Sequence, residues 1–341
     1  MRTRKVQKKS KRVKTCQKFP DGVMPPFYLH NELKQIVPHL FPCQANIYHY
    51  TTADVLTKLT CTDACFYATH YMALNDNSEY EKGTEYVLKE YLPKYYPALD
   101  ALLHSQFPGL YKDEDENDME VRLCYVPWVM SFSRKADLLS QWIAYTSKEQ
   151  GGFSIGYNFD RVERLVAMAV KVKRERYSFD KSALDYEMHF LPCVYLDKNN
   201  PSKMADVHKI LQFMFGRYYS EKVSYLSQQE KKERAVYALL IVNLFAAIAK
   251  HSSFSEEDEF RLVLLVKNER FLDQGEFIGG KPRIKLPLRE ETSVPLNGLI
   301  AEVYVSPHGD KRLLHSIVEF TKYKNKLRYA VKDSSSPYNG R

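Results

Sequence analysis

Apolar and polar positions fall into short blocks along the chain, and each block predicts an element. Asn46 to Thr51 (NIYHYT) is β-prone, and Thr52 to Leu59 then reads as a helix capped by Thr51 or Thr52. Val55, Leu56 and Leu59 are its expected buried positions. Cys65 to Thr69 is a second strand, and residues 75–106 are helical with a break at Pro93. Tyr125 to Ser133 is a strand in which Pro127 implies an edge or a bulge. A helix over 136–147, a Gly151-Gly152 turn, a strand over Phe153 to Tyr157 and a helix from Arg161 follow.

The second half continues the alternation. His30 to Leu40 apart, the short elements give way to two long helices, about 204–219 and 221–250, after a strand at Cys193 to Leu196. Glu259 to Val266 (EFRLVLLV) has the continuous apolar run of a strand buried on both faces. Ile278 to Pro287 and Leu299 to Val305 are further strands, and Lys311 to Lys324 is a helix. Strands and helices intermix without regular βαβ spacing. The expected fold is therefore α+β: a mixed or antiparallel sheet with surrounding helices and a helical insertion at about 204–250. One domain spans 26–330, between a basic disordered arm at 1–25 and a flexible tail at 331–341.

Composition changes this picture little, but charge changes it locally. The chain has 341 residues, 44% hydrophobic and 27% charged, within the globular range. Nine basic residues and no acid lie within residues 1–18, and the net charge of +8 becomes −1 for the remainder. Such an arm is suited to nucleic acid through counterion release; a solvated terminus is the structural alternative. Residues 113–120 (DEDENDME) read as a solvated acidic loop. The apolar run Ala235 to Ala249 is shorter than the roughly 20 residues that cross a bilayer, so it predicts a buried helix and no membrane partner. Six cysteines without a signal segment point to a reducing, cytoplasmic location and buried thiols. Cys61 and Cys65 lack a second ligand pair, and no metal site is expected.

Familiar motifs are missing. The chain has no phosphate-cradling P-loop, no Gly-x-Gly-x-x-Gly, no His-Glu-x-x-His and no Gly-x-Ser-x-Gly. Four local patterns remain: Tyr48-His49-Tyr50-Thr51; Asn75-Asp76-Asn77-Ser78-Glu79; Ser131-Phe132-Ser133 with Asp137, Trp142, Tyr145 and Gly151 to Gly156; and Glu256 to Leu262 (EEDEFRL).

The order of these patterns resembles the bacterial family known as domain of unknown function 2971. That family has a Tyr-rich first strand, then Asn-Asp-Pro-x-Glu, Phe-Ser, Trp-x-x-Tyr, a Gly-containing strand and a late Glu-x-Glu-x-Arg. The matching residues here are Asn75, Asp76 and Glu79; Phe132 and Ser133; Trp142 and Tyr145; Gly152; and Glu257, Glu259 and Arg261. Asn77 stands where proline is usual. The resemblance covers roughly residues 46–310 and supplies no activity of its own.

A weaker similarity, to ADP-ribosyltransferase-like folds, implies one. A first-strand histidine there binds the ribose of NAD, an aromatic ring stacks on nicotinamide, and a late glutamate serves the scissile bond. By that resemblance Glu259 would be the catalytic carboxylate and Glu257 the group that orients or deprotonates an acceptor. His49 and Thr51 would hold the ribose end, with Tyr67, Tyr71 or Tyr145 as the stacking ring. Cleaving a glycosidic bond builds oxocarbenium character that a fixed carboxylate stabilises.

Each residue also has a structural reading. His49 can satisfy a buried backbone group, and Glu259-x-Arg261 can be an ion pair. Asp76 and Glu79 can complement a helix start, Trp142 and Tyr145 can form a core stripe, and Asp137 can cap their helix. The functional expectations are thus an NAD-dependent ADP-ribosyltransferase-like enzyme acting on an unknown acceptor, a nucleic-acid-associated binding module using residues 1–18, or a metal-dependent nuclease using Asp76, Glu79, Glu257 and Glu259.

Overall fold

The computed structural model describes residues 29–41, 45–60, 65–74, 78–108, 125–179, 186–216, 227–267, 275–278, 280–287 and 297–337. The basic arm, the acidic run 113–120, Asn75 and Asp76 lie outside the described residues. In chain order the elements are α1 (His30–Ile36), β1 (Asn46–Thr51), α2 (Ala53–Thr60), β2 (Cys65–His70), α3 (Ser78–Glu85), α4 (Leu92–Tyr95), α5 (Pro97–Gln106) and β3 (Tyr125–Ser133). There follow α6 (Leu139–Tyr145), β4 (Phe153–Asn158), α7 (Phe159–Phe179), β5 (Tyr186–Pro192), β6 (Val194–Leu196), α8 (Pro201–Gly216), α9 (Gln228–Ile248), β7 (Ala249–His251) and β8 (Glu259–Lys267). The last are β9 (Gly275–Ile278), β10 (Lys281–Pro287), β11 (Ile300–Val305), α10 (Lys311–Asn325) and β12 (Ala330–Asp333).

The fold is α+β, with a mixed, mostly antiparallel sheet. Its strands run β12-β11-β4-β1-β3-β2-β10-β9, and β8 joins β3 to β5. Strand β3 organises this arrangement. Along one edge all nine of its residues pair with β8, from Tyr125↔Lys267 to Ser133↔Glu259. The other edge is shared: β2 pairs at Trp128 and Val129, and β1 pairs at Ser133. The sheet therefore forks between Val129 and Ser133. Pro127 is not on an edge strand as expected. It lies opposite Leu265 and one residue outside the stretch that β2 pairs.

One face of β3 and β8 carries the core. Phe132 and Phe260 sit opposite each other, and Phe66, Tyr157, Phe159 and Phe190 join them, with ring centroids 4.9 Å apart for Phe190–Phe260 and 5.8 Å for Phe66–Phe132. Such tilted and edge-to-face pairs add to the stabilisation from burial alone. The other face is covered by α9, which begins with a capping box of Ser227 and Glu230 and is buried almost continuously from Leu239 to Ile248. It is the buried helix expected from its apolar run, and no helix among the described residues is long and apolar enough to cross a membrane.

Several boundaries differ from expectation for local reasons. The helical stretch near Pro93 does not break there; a π-helical segment at 86–91 leads into α4, and the interruption falls at Tyr96 before Pro97. Asp137 does not cap α6, whose N-cap residue is Leu138. Its carboxylate instead accepts from the Trp142 indole at 2.6 Å, from Ser334 at 2.5 Å and from the Ser335 amide at 2.7 Å. Those bonds outweigh burial and hold the Asp137 carboxyl below its ordinary range. The segment read as a tail, 331–341, begins in β12, which pairs in parallel with β11.

Candidate functional site

Opposite residues in a ladder point to the same face. The pairings Tyr48↔Ser133 and Ser133↔Glu259 therefore put Tyr48, Ser133 and Glu259 on one face, with Arg261 two residues along β8. His49 and Thr51 point to the other. The His49 ring centroid is 6.0 Å from that of Phe132, on the core face. His49 Nδ1 is 2.9 Å from the Ser131 carbonyl oxygen, inside the fork where neither β1 nor β2 supplies a rung. The histidine thus satisfies a backbone group that the fork exposes. Burial pushes its pKa down to about 4, against the effect of that bond, and the Arg283 charge lowers it further.

On the α9 side of β8 lies a cluster of five ionisable groups. Lys250, from β7, places Nζ 2.6 Å from Glu257 Oε2, 2.6 Å from Glu259 Oε2 and 3.5 Å from Glu79 Oε1. Arg261 Nε donates to Glu259 Oε1 at 2.8 Å, Nη2 reaches Glu79 Oε2 at 3.1 Å, and Nη1 donates to the Ala247 carbonyl at 2.8 Å. All five side chains are buried.

Local structure explains how they meet. The short strands β6 and β7 pair Tyr195 with Lys250, and the Tyr195 hydroxyl accepts the Glu259 amide at 3.0 Å. Glu257 lies before β8 and ends a 3-10 turn at Ser252–Glu257. Asp258 then adopts a left-handed φ of 48°, a conformation in which Asp and Asn are enriched, and joins that turn to β8. Asp258 is ion-paired with Arg134, and Ser133 Oγ donates to the Glu257 carbonyl at 2.6 Å. Glu79 arrives from α3, which approaches α9 closely at Gly83; a Cβ there would lie 2.9 Å from Ala246 Cα.

Burial and charge then separate the two carboxylates of Glu257 and Glu259. Burial raises the Glu257 carboxyl, and the single Lys250 ammonium only partly offsets it. Burial works on Glu259 in the same direction, but Arg261 and Lys250 together hold it well below the usual carboxylate range. Lys250 stays protonated: burial disfavours its charge, and Glu259 more than compensates. With every group ionised, three carboxylates face two cations, one negative charge in excess.

Among the aromatic residues singled out from sequence, Tyr145 lies near this cluster. Burial raises its phenol, and Glu259 and Glu257 add to the effect through space. It is carried by α6, fixed by Trp142, whose ring packs edge-on against Tyr50 at 4.8 Å. Tyr71 instead packs on Tyr80 at 4.2 Å, and Tyr67 lies on β2 opposite Lys285. The structure thus gathers Glu79, Glu257, Glu259, Arg261 and Tyr145, and places His49 and Thr51 across the sheet. Lys250, the centre of the cluster, was missed by sequence reasoning because it ends an apolar run with no motif of its own; the nearby acids were its only signal. Cys193, also near, is a buried free thiol that burial keeps protonated.

Residues 141–262 match the family described as protein of unknown function (DUF2971). The match is shorter than the 46–310 resemblance read from the motifs, yet it contains Trp142, Tyr145, Lys250, Glu257, Glu259 and Arg261. No curated protein and no solved structure matches the chain.

Proposed function

We infer that the protein is an enzyme in which Glu257 performs acid–base chemistry beside a carboxylate, Glu259, that is held ionised. The observation that carries this reading is the shared ammonium. Lys250 takes one oxygen of each carboxylate, Arg261 takes the other oxygen of Glu259, and Glu257 Oε1 makes no hydrogen bond among the described residues. Two carboxylates whose environments push their pKa values apart divide the roles of acid–base group and fixed charge. Glu259, bonded through both oxygens, is therefore the positioning residue, and Glu257 is the group available to a substrate.

Three carboxylates around two cations suit a reaction that develops positive charge, of which glycosidic cleavage is the clearest case. NAD is the substrate implied by the ADP-ribosyltransferase resemblance. In that version the bond from ribose carbon to nicotinamide breaks, its electron pair leaving with nicotinamide. Glu257 takes the proton of the acceptor as the new ribosyl bond forms. Tyr145 is the ring beside the carboxylates, while His49 and Thr51 have no part from across the sheet. The metal-dependent reading draws less support, because the carboxylates converge on the Lys250 ammonium at the point a cation would take.

The test is calorimetry with NAD together with release of nicotinamide, on the wild type, Glu257→Gln and Glu259→Gln. Binding and release by the wild type, with release lost at least a hundredfold in Glu257→Gln and binding retained, would support the reading. A wild type that neither binds nor cleaves NAD removes NAD as substrate; release unchanged in Glu257→Gln removes Glu257 as its acid–base group.

A further inference from the structure

The second wing of the fork, β2 with β10 and β9, has a core face and an outward face. Phe66, Ala68, Ile284 and Leu286 are buried on the first. The register Thr69↔Arg283 and Tyr67↔Lys285 puts these four residues on the second, and Lys281 follows on the same side two positions before Arg283. Three cations thus alternate along one strand, Lys281, Arg283 and Lys285, beside the Thr69 hydroxyl and a Tyr67 ring that is half-buried against the core.

Two of these cations, Arg283 and Lys285, are left without a carboxylate: among the described residues they make no ion pair. Glu276 stands directly across from Arg283 on β9, and it too makes none among the described residues. Asp54, on α2, is near enough to be felt by Arg283, but its carboxylate is engaged by Thr52 and lies 3.9 Å from Lys58 Nζ. Arg283 Nε is buried without a hydrogen-bond partner, a state that costs stability unless an acceptor arrives. Burial lowers the pKa of both Arg283 and Lys281, and the arginine's charge lowers that of the lysine further.

We propose that the outward face of β10 binds phosphate groups, with Arg283 as the anchoring cation, Lys285 and Lys281 on either side, and Thr69 completing the surface. A guanidinium with free donors suits a phosphate's paired oxygens, and a row of cations on alternate residues suits more than one phosphate. Phosphate groups are what single-stranded nucleic acid and free nucleotides share. The proposal does not rest on the Glu257 reaction and is tested by binding alone.

The experiment measures binding of ADP and of a labelled single-stranded oligonucleotide to the full chain, as wild type, Arg283→Gln and Lys285→Gln. Lys285 is exposed, so its variant keeps the test valid if Arg283→Gln folds poorly. The expected result is a loss of about tenfold or more in affinity in each variant, with the salt slope for the oligonucleotide reduced by about 1 per residue. A loss for ADP identifies a nucleotide phosphate as the source, and a loss confined to the oligonucleotide identifies a polynucleotide backbone. Unchanged affinity for both probes in both variants would overturn the proposal, leaving residues 1–18 as the carrier of any nucleic-acid binding.

Discussion

Glu257 and Glu259 share one ammonium, with Lys250 Nζ 2.6 Å from an oxygen of each. Their backbones reach it by different routes, one from a 3-10 turn and the other from the first residue of a strand. The left-handed Asp258 between them makes the shared contact possible.

Removing the shared cation leaves three buried carboxylates around a single arginine. Lys250→Met is expected to cost about 3–5 kcal/mol at pH 7. The sign of its pH dependence is also diagnostic. The uncompensated carboxyls would have raised folded pKa values, so the folded variant binds more protons than the unfolded chain. Its stability should therefore rise relative to the wild type as pH falls from 7 toward 5. Urea denaturation at the two pH values checks both the cost and the sign.

The two glutamates should separate in their effect on stability. Glu259→Gln strips a charge that both Lys250 and Arg261 use, and about 3 kcal/mol of destabilisation is expected. Glu257→Gln removes a group whose ionisation burial already disfavours, so its change should stay within about 1 kcal/mol. In the wild type, the depressed Glu259 pKa contributes stability that is full above pH 4.5 and is lost as pH falls below it.

His49 gives a different pH window. Its pKa falls from 6.5 to about 4 on folding, so the unfolded chain takes up the proton first. Its contribution is full above pH 6.5 and is lost as pH falls to 4, below which both states are protonated. His49→Asn can keep a donor for the Ser131 carbonyl but cannot titrate. The variant should show a flatter stability profile between pH 4 and 6.5 than the wild type, with His70 contributing a slope of the same sign in both.

Gly156 faces Tyr48 across the β1–β4 ladder, and the Tyr48 hydroxyl donates to Glu302 at 2.7 Å. A Cβ at Gly156 would lie 2.9 Å from Tyr48 Cε1 and 2.9 Å from Glu302 Cγ. Gly156→Ala is expected to destabilise by about 1–3 kcal/mol through this overpacking, read as a lower midpoint in thermal melting.

Much of the fold was legible because its signals are local. The strand over Tyr125 to Ser133 and the apolar run of α9 carry their own periodicity and length, and both formed where expected. The pairing of strands did not show. Nothing local to His49 distinguishes a face shared with Glu259 from the opposite one, because that choice depends on a single contact, Tyr48↔Ser133, between segments 85 positions apart. The Glu-x-Glu pattern found the acids of the site, yet their cation lies on another strand and carries no pattern. Asp137 illustrates the same limit. A helix-start aspartate reads as a cap, but distant serines near the chain's end outcompete the helix for it.

The forked edge of β3 also bears on how a disturbance would travel. One wing carries Tyr48 and the β4 ladder, the other Arg283 and the β10 cations, and both are fastened to the same short length of backbone at 128–133. The opposite edge of that length leads to Glu259 and Arg261, so a ligand seated on either wing is expected to be felt there. The amides of Ser131 and Phe132 are thus natural reporters. Their hydrogen-exchange rates would register occupancy of the outward β10 face at the very strand that borders the Glu257 cluster.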